Sequence, residues 1–259
     1  MPALGLEHRG ELQRAIDENS LVLYYQPKLR VRSLSILGIE SLVRWPFKAR
    51  ELLLPGDFLP LAEETGLIRP LLEWGLRRAL AQIALWRGDG LKLFTAVNLS
   101  AKNLADPRLE LTFKQLLRVG GTDAAQLTLE IPAAALSAAN TATLDWLAGL
   151  RRGGVRIALD GLDELEVPLG LITRCPLDEL KISPRLFARL ALDPRVALAV
   201  RQLIAACRAT GLVTVAVGVE NDGGLRLAEE LGCDAGQGNY LSPPLPPSDL
   251  VAWLRSRPD

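Results

Sequence analysis

The sequence predicts a single (β/α)8 barrel, and three observations carry that expectation. Strand-like apolar runs alternate with helix-period segments, eight such runs can be counted, and the length of 259 residues matches the ~250 typical of this barrel as one unit. Residues 10–20 (GELQRAIDENS) have helical composition and lead into LVLYYQP from Leu21, whose branched and aromatic residues favour a strand. Further strands are expected at 36–44, 91–98, 126–131, 155–160, 177–182, 212–217 and 235–241. Helices are expected at 68–87, 109–119, 141–152, 195–210 and 223–231, with a last one at 249–255 after the proline-rich PPLPPSDL. The strands read as near-continuous hydrophobic runs, as they do when helices cover a parallel sheet. A doubly wound open sheet is the alternative, weakened because no GxGxxG turn follows the first strand. No Ser/Gly linker or low-complexity tract divides the chain, so residues 1–259 are expected to form one domain with its core at about 12–254.

Composition excludes several chemistries. Thirty basic residues balance thirty acidic ones, which argues against a nucleic-acid polymer as partner, since that calls for a basic excess. His8 is the sole histidine, so a His-rich zinc site or a Ser-His-Asp triad cannot be built. Cys175, Cys207 and Cys233 are odd in number and widely spaced, and read as reduced, buried small hydrophobes of a cytoplasmic protein. The segment MPALGLEHRGELQRA is charged where a signal peptide needs an apolar run, and Arg201 and Gln202 interrupt VALAVRQLIAAC. No membrane span is therefore expected.

In such a barrel, functional groups sit at the carboxyl ends of the strands. Reading those ends gives Glu40 (GIES), Asn98 (AVNLS), Glu130 (LTLEIP), Asp160 (RIALD) and Lys181 (DELKI). Burying an unpaired carboxylate is costly, so three of them at one barrel mouth require a cation or cationic side chains. Carboxylates and an amide oxygen are hard ligands suited to Mg²⁺, Mn²⁺ or Ca²⁺. Lys181, one of six lysines beside 24 arginines, is a point charge suited to a phosphate or a bound water. Each residue alone would read as a cap or loop anchor; five at successive strand ends read as a site. The five tryptophans, the Glu63-Glu64 pair and the pairs Arg77-Arg78 and Arg151-Arg152 read as packing or solvated helix faces.

These residues sit within a longer series of motifs. YYQP at 24–27, IESLVRW at 39–45, DFLPLAEETGLI at 57–68, AVNLSAKNL at 96–104, LTLEI at 127–131, LRRGGVRIALD at 150–160, CPLDELKIS at 175–183 and ELGCDAGQG at 230–238 occur in order. In them the chain resembles the EAL domain, the cyclic di-GMP phosphodiesterase family. The resemblance implies a TIM-like barrel whose first strand runs antiparallel, opening on a cyclic dinucleotide site. It implies Glu40, Asn98, Glu130 and Asp160 as ligands of a first Mg²⁺ or Mn²⁺ ion and Lys181 as the active-site lysine. It also implies Arg44 as the phosphate-contacting arginine, with Gln26, Leu42, Pro60, Gln237, Gly238 and Pro244 lining the ligand pockets.

The departures share a direction. Where the family has DDFGTG this chain has Asp160-Gly161-Leu162-Asp163-Glu164-Leu165; where it has EGVE, Val217 replaces the first glutamate; where it has ExTE, Ala133 replaces the last. Glycine and valine supply no ligand, so the second metal site and the water-activating group of a two-metal hydrolysis are missing, unless Asp163 or Glu164 takes the vacated place. QGNYLSPPL stands where QGYLFGRPL is commoner, so Pro243 replaces a positive charge. The expected function is binding of cyclic di-GMP with little or no hydrolysis, relayed to a regulatory protein partner, with a homodimer allowed and at most one metal site, or none, filled. A nucleotide-independent interaction regulator and a weak metal-dependent phosphodiesterase are the alternatives.

Overall fold

The computed structural model describes residues 4–48, 51–120, 124–163, 169–190 and 192–257. After helix α1 (Arg9–Asp17), strand β1 (Val22–Arg30) turns back into β2 (Ile36–Phe47), and β3 (Glu51–Leu53) follows. Helices α2 (Pro55–Thr65) and α3 (Ile68–Gly88) lead to β4 (Thr95–Asn98), and α4 (Ala101–Leu104) and α5 (Leu109–Gly120) to β5 (Leu127–Pro132). Next come α6 (Ala133–Ser137), α7 (Thr141–Arg152) and β6 (Arg156–Leu162), then α8 (Leu169–Arg174) and β7 (Glu179–Ile182). Helices α9 (Pro184–Leu190) and α10 (Pro194–Ala209) precede β8 (Val213–Val217), and α11 (Asp222–Leu231) precedes β9 (Ala235–Gln237) and α12 (Pro247–Arg255).

Eight strands close into a barrel in the order β1-β9-β8-β7-β6-β5-β4-β2, sealed by the β1–β2 pairing, while β3 pairs only with the far end of β2. β1 is antiparallel to both neighbours and every other pairing in the barrel is parallel. The barrel and its antiparallel first strand are those the sequence led us to expect. The outward face of each strand packs on helices: Ile39, Leu129, Ile157 and Leu180 are fully buried, and Tyr25 meets the edge of Trp86 from α3 at 4.8 Å. Helix ends follow local chemistry. The Asn140 and Asn221 side chains cap α7 and α11 by accepting from the amides of Thr143 and Gly224, and Gly66 and Gly232 end α2 and α11 in the left-handed conformation.

The structure corrects several boundaries. β9 stops at Gln237 rather than running to 241, because the Gln237 carbonyl accepts from the amides of both Gly218 and Val219 and Gly238 folds onto Val219. Residues 91–94 are not strand; the Leu91 amide bonds back to the Trp86 carbonyl and closes α3. β3 and the helices α4, α6, α8 and α9 were not expected, since they are too short to show a period; α2 bears the Glu63-Glu64 pair that read as a helix face, and carries Pro60 in its interior.

Gly238 is a tight point, because a Cβ there would fall within 2.5 Å of the Val219 nitrogen. Gly238→Ala is expected to destabilise the barrel by about 3 kcal/mol, the scale of a severe backbone clash. Thermal unfolding should show a melting temperature lowered by about 6–12 °C.

Candidate functional site

Strand register selects which side chains face the barrel interior. Glu40 lies opposite Gln26 and Ala96, Asn98 opposite Glu130, Glu130 opposite Ala158, and Ala158 opposite Glu179. Residues across a register share a face and alternate residues along a strand return to it. Gln26, Lys28, Glu40, Asn98, Glu130, Asp160, Glu179, Lys181 and Gln237 therefore all point inward. The sequence-predicted ligands are thus brought together at the mouth, and two charged residues that sequence reasoning did not select, Lys28 and Glu179, lie on the same inner face.

Lys181 is the hub. Its ammonium donates to Glu40 at 2.9 Å and to Glu130 at 2.5 Å, and stands 3.4 Å from Asp160. Glu40 is further held by the Asn98 amide at 2.7 Å and the Gln237 amide at 2.7 Å. Gln237 also donates to Gln26 at 3.1 Å, and Gln26 donates to the Ser242 carbonyl, which ties the mouth to the loop that carries Pro244. Leu42 and Arg44 follow Glu40 at intervals of two on the same face; Arg44 is buried, donates to the Val43 carbonyl and lies over the Tyr24 ring. Pro60 is exposed on α2. A cavity of about 530 Å³, lined by Leu42, Leu59, Glu63, Trp74, Asn98 and Pro132 among others, opens beside this rim. The buried Trp74 indole N–H has no partner among the described residues.

Electrostatics follow from the burial. For Glu40, burial alone would raise the carboxyl, but the Lys181 charge and the hydrogen bonds from Asn98, Lys181 and Gln237 outweigh it and bring the pKa down to about 2. Glu130 goes the other way: burial and the Glu40 charge push it up to about 7, against the pull of Lys181 and Lys28. Lys181 is disfavoured by burial, yet the charges of Glu130, Glu40 and Asp160 keep it well above its ordinary value.

The donor atoms at the mouth are carboxylate and amide oxygens, the kind a hard divalent cation takes. Four carboxylates (Glu40, Glu130, Asp160 and Glu179) face two ammoniums (Lys28 and Lys181) inside the barrel, a formal excess of two negative charges. The buried Gln237 Oε1 accepts from no group among the described residues. The carboxylates are gathered around the Lys181 ammonium rather than around an open point, and no three-residue carboxylate, cysteine or histidine cluster disposed for a metal occurs among the described residues.

The comparisons with known proteins decide the family. The EAL domain model matches residues 9–244. The chain belongs to the EAL domain family. It is 35% identical over 243 residues to the bifunctional diguanylate cyclase/cyclic di-GMP phosphodiesterase MucR of Pseudomonas aeruginosa, covering 93% of this chain and 36% of that protein. It is 30% identical to the cyclic di-GMP phosphodiesterase PdeR of Escherichia coli, covering 94% of this chain and 37% of PdeR. The chain thus spans about a third of the length of these curated relatives. The solved structure of the PaMucR phosphodiesterase in complex with c-di-GMP superposes with a TM-score of 0.85 at 34% identity, over 95% of this chain and all of that one.

In this EAL domain the altered positions sit around the same mouth. Gly161 has φ +70°, in an irregular stretch where β6 slips register between Leu159 and Leu162, and no atom stands within 4 Å of where its Cβ would be. The left-handed backbone there favours glycine, although space for a side chain exists. Val217 ends β8 opposite Gln237 and packs on the Leu37, Val215 and Ala235 cluster. Asp163 is exposed beyond the end of β6, while Glu164, Leu165 and Glu166 lie outside the described residues. Cys175, Cys207 and Cys233 are buried and unbridged. Among the described residues no helix is long and apolar enough to cross a membrane.

A raised carboxyl has a stability signature. Between about pH 4.5 and 7 the folded state holds a proton at Glu130 that the unfolded chain has released, so the contribution of Glu130 to stability is fully present below about pH 4.5 and is lost as pH rises to about 7. In urea titrations the wild type should lose on the order of 2 kcal/mol across that window relative to Glu130→Gln, which has no such proton. Parallel pH profiles for the two proteins would show that Glu130 titrates in the ordinary carboxylate range.

Proposed function

We propose that this EAL domain is a cyclic di-GMP-binding module of a signalling protein that holds the nucleotide with little or no hydrolysis. The observation that carries it is an asymmetry at one mouth. Glu40, Glu130 and Asp160 remain gathered on Lys181 and Asn98 on Glu40, with Arg44 and an apolar cavity at the rim, whereas Gly161 and Val217 offer no oxygen to a second ion.

The chain's own groups suffice for recognition. Arg44 supplies a fixed guanidinium for a phosphate oxygen, a charge-assisted bond stronger than a neutral one. The cavity walls Leu42, Leu59 and Pro132 offer apolar surface to a planar base, and the indole N–H of Trp74, which also lines the cavity, is without a partner among the described residues. Glu40, Asn98, Glu130 and Asp160 would hold a Mg²⁺ or Mn²⁺ ion, which supplies counter-charge to the ligand's phosphates. Hydrolysis needs more, namely an activated water opposite the leaving oxygen, and Val217 can neither accept a proton nor bind an ion. Bound nucleotide is then a signal, relayed to a regulatory protein partner.

Two measurements on one sample test this. Calorimetry with cyclic di-GMP and Mg²⁺ is expected to show saturable binding, weakened at least about tenfold by Arg44→Ala, the cost of losing a hydrogen bond to a charged group. Chromatography of the same mixture is expected to return intact cyclic nucleotide. Absence of binding heat at tens of micromolar protein would favour a nucleotide-independent interaction module. Linear product whose formation stops in Glu40→Ala would establish a residual phosphodiesterase.

A further inference from the structure

Beneath the mouth lies a second ion pair that the proposed binding function does not use. Lys28 of β1 donates to Glu179 Oε1 at 2.5 Å and to Glu130 Oε1 at 3.2 Å. Lys28 is 2% exposed, Glu179 1% and Glu130 0%. Lys28 lies opposite Gly38 on β2. Glu130 is therefore gripped at both oxygens, Oε1 by Lys28 from below and Oε2 by Lys181 from the mouth. A counter-charge for Glu179 alone would have no need to touch Glu130, and a carboxylate bound at both oxygens by two buried ammoniums has a single orientation.

We propose that Lys28 is a positioning residue for the mouth: it holds Glu130 from beneath so that Oε2 is presented upward and the Lys181 ammonium stays at the level of Glu40 and Asp160. Without Lys28, Glu130 is free to turn, and Lys181 loses its short anchor. The consequence for ligand affinity rests on the proposed cyclic di-GMP reading; the consequence for Lys181 does not.

The test separates the two roles Lys28 could have by pairing substitutions. Lys28→Met leaves Glu179 buried without its cation and should lower the melting temperature. Lys28→Met/Glu179→Met removes the pair and leaves the formal charge inside the barrel unchanged, so its melting temperature should recover toward the wild type. If Lys28 positions Glu130, cyclic di-GMP affinity should nevertheless fall about ten- to a hundredfold in both variants, the usual cost of losing a group that orients a binding residue, and further than in Glu179→Met, which keeps Lys28 on Glu130. A second readout needs no nucleotide: the ¹H–¹⁵N signal of the buried Lys181 ammonium, assigned by its loss in Lys181→Met, should shift or broaden in the double variant.

Wild-type affinity and an unmoved Lys181 signal in the double variant would overturn the proposal and leave Lys28 a counter-charge only. A wild type that binds no cyclic di-GMP would defeat the functional reading, and the Lys181 signal would still decide the role of Lys28. Should the Met pair not fold, Lys28→Gln/Glu179→Gln, whose amides can hydrogen-bond to one another, is read by the same two measurements with the same outcomes.

Discussion

Charges taken out of water inside a barrel cost free energy unless each meets a charge of opposite sign and is hydrogen-bonded. In this chain the constraint is met by a continuous series, Glu179 to Lys28 to Glu130 to Lys181 to Glu40, that crosses the interior from β7 to β1 to β5, back to β7 and on to β2. Each member is held by residues far away along the chain, so the series exists only when the barrel is closed. The antiparallel first strand matters here, because its register sets Gln26 against Glu40 and Lys28 against Gly38. A slip of one residue would turn both side chains to the helix layer and leave Glu130 and Glu179 without their lower cation.

The same series explains why the mouth is suited to a ligand. Pairing inside the barrel is incomplete: two ammoniums do not neutralise four carboxylates, Glu130 is pushed toward neutral pH, and Gln237 keeps a buried oxygen without a donor. A site that is fully satisfied by itself has little to gain from a cation or a hydrogen-bonding base, whereas this one does. The altered positions remove oxygen donors from one side only, at Gly161 and Val217, and leave the Lys181-centred side whole. On the proposed reading, recognition and water activation are separable in space, which is what binding without turnover requires.

Much of this was legible in the sequence. The alternation of strand and helix survives as pattern because each barrel strand is covered on its outer face, and Glu40, Asn98, Glu130, Asp160 and Lys181 stand out as polar atoms ending apolar runs. Lys28 and Glu179 carried a weaker signal: each sits two residues from a selected polar residue, Gln26 and Lys181, and so shares its face. That parity gains meaning only once the partner is known, and Glu130 lies 102 residues from Lys28, Glu179 151 residues away. The end of β9 was missed for a related reason, since apolar composition continues past Gln237 while the contact of Gly238 with Val219 turns the chain. β3 exists through its pairing with Trp45 to Phe47 rather than through any pattern of its own.

The most direct measurement is a crystal structure of the protein grown with cyclic di-GMP and Mn²⁺, with anomalous scattering used to count ions. Intact cyclic nucleotide, the Arg44 guanidinium on a phosphate, and at most one manganese peak, beside Glu40, Asn98, Glu130 and Asp160, are the expected result. Two manganese peaks at the mouth together with a linear dinucleotide would contradict binding without hydrolysis.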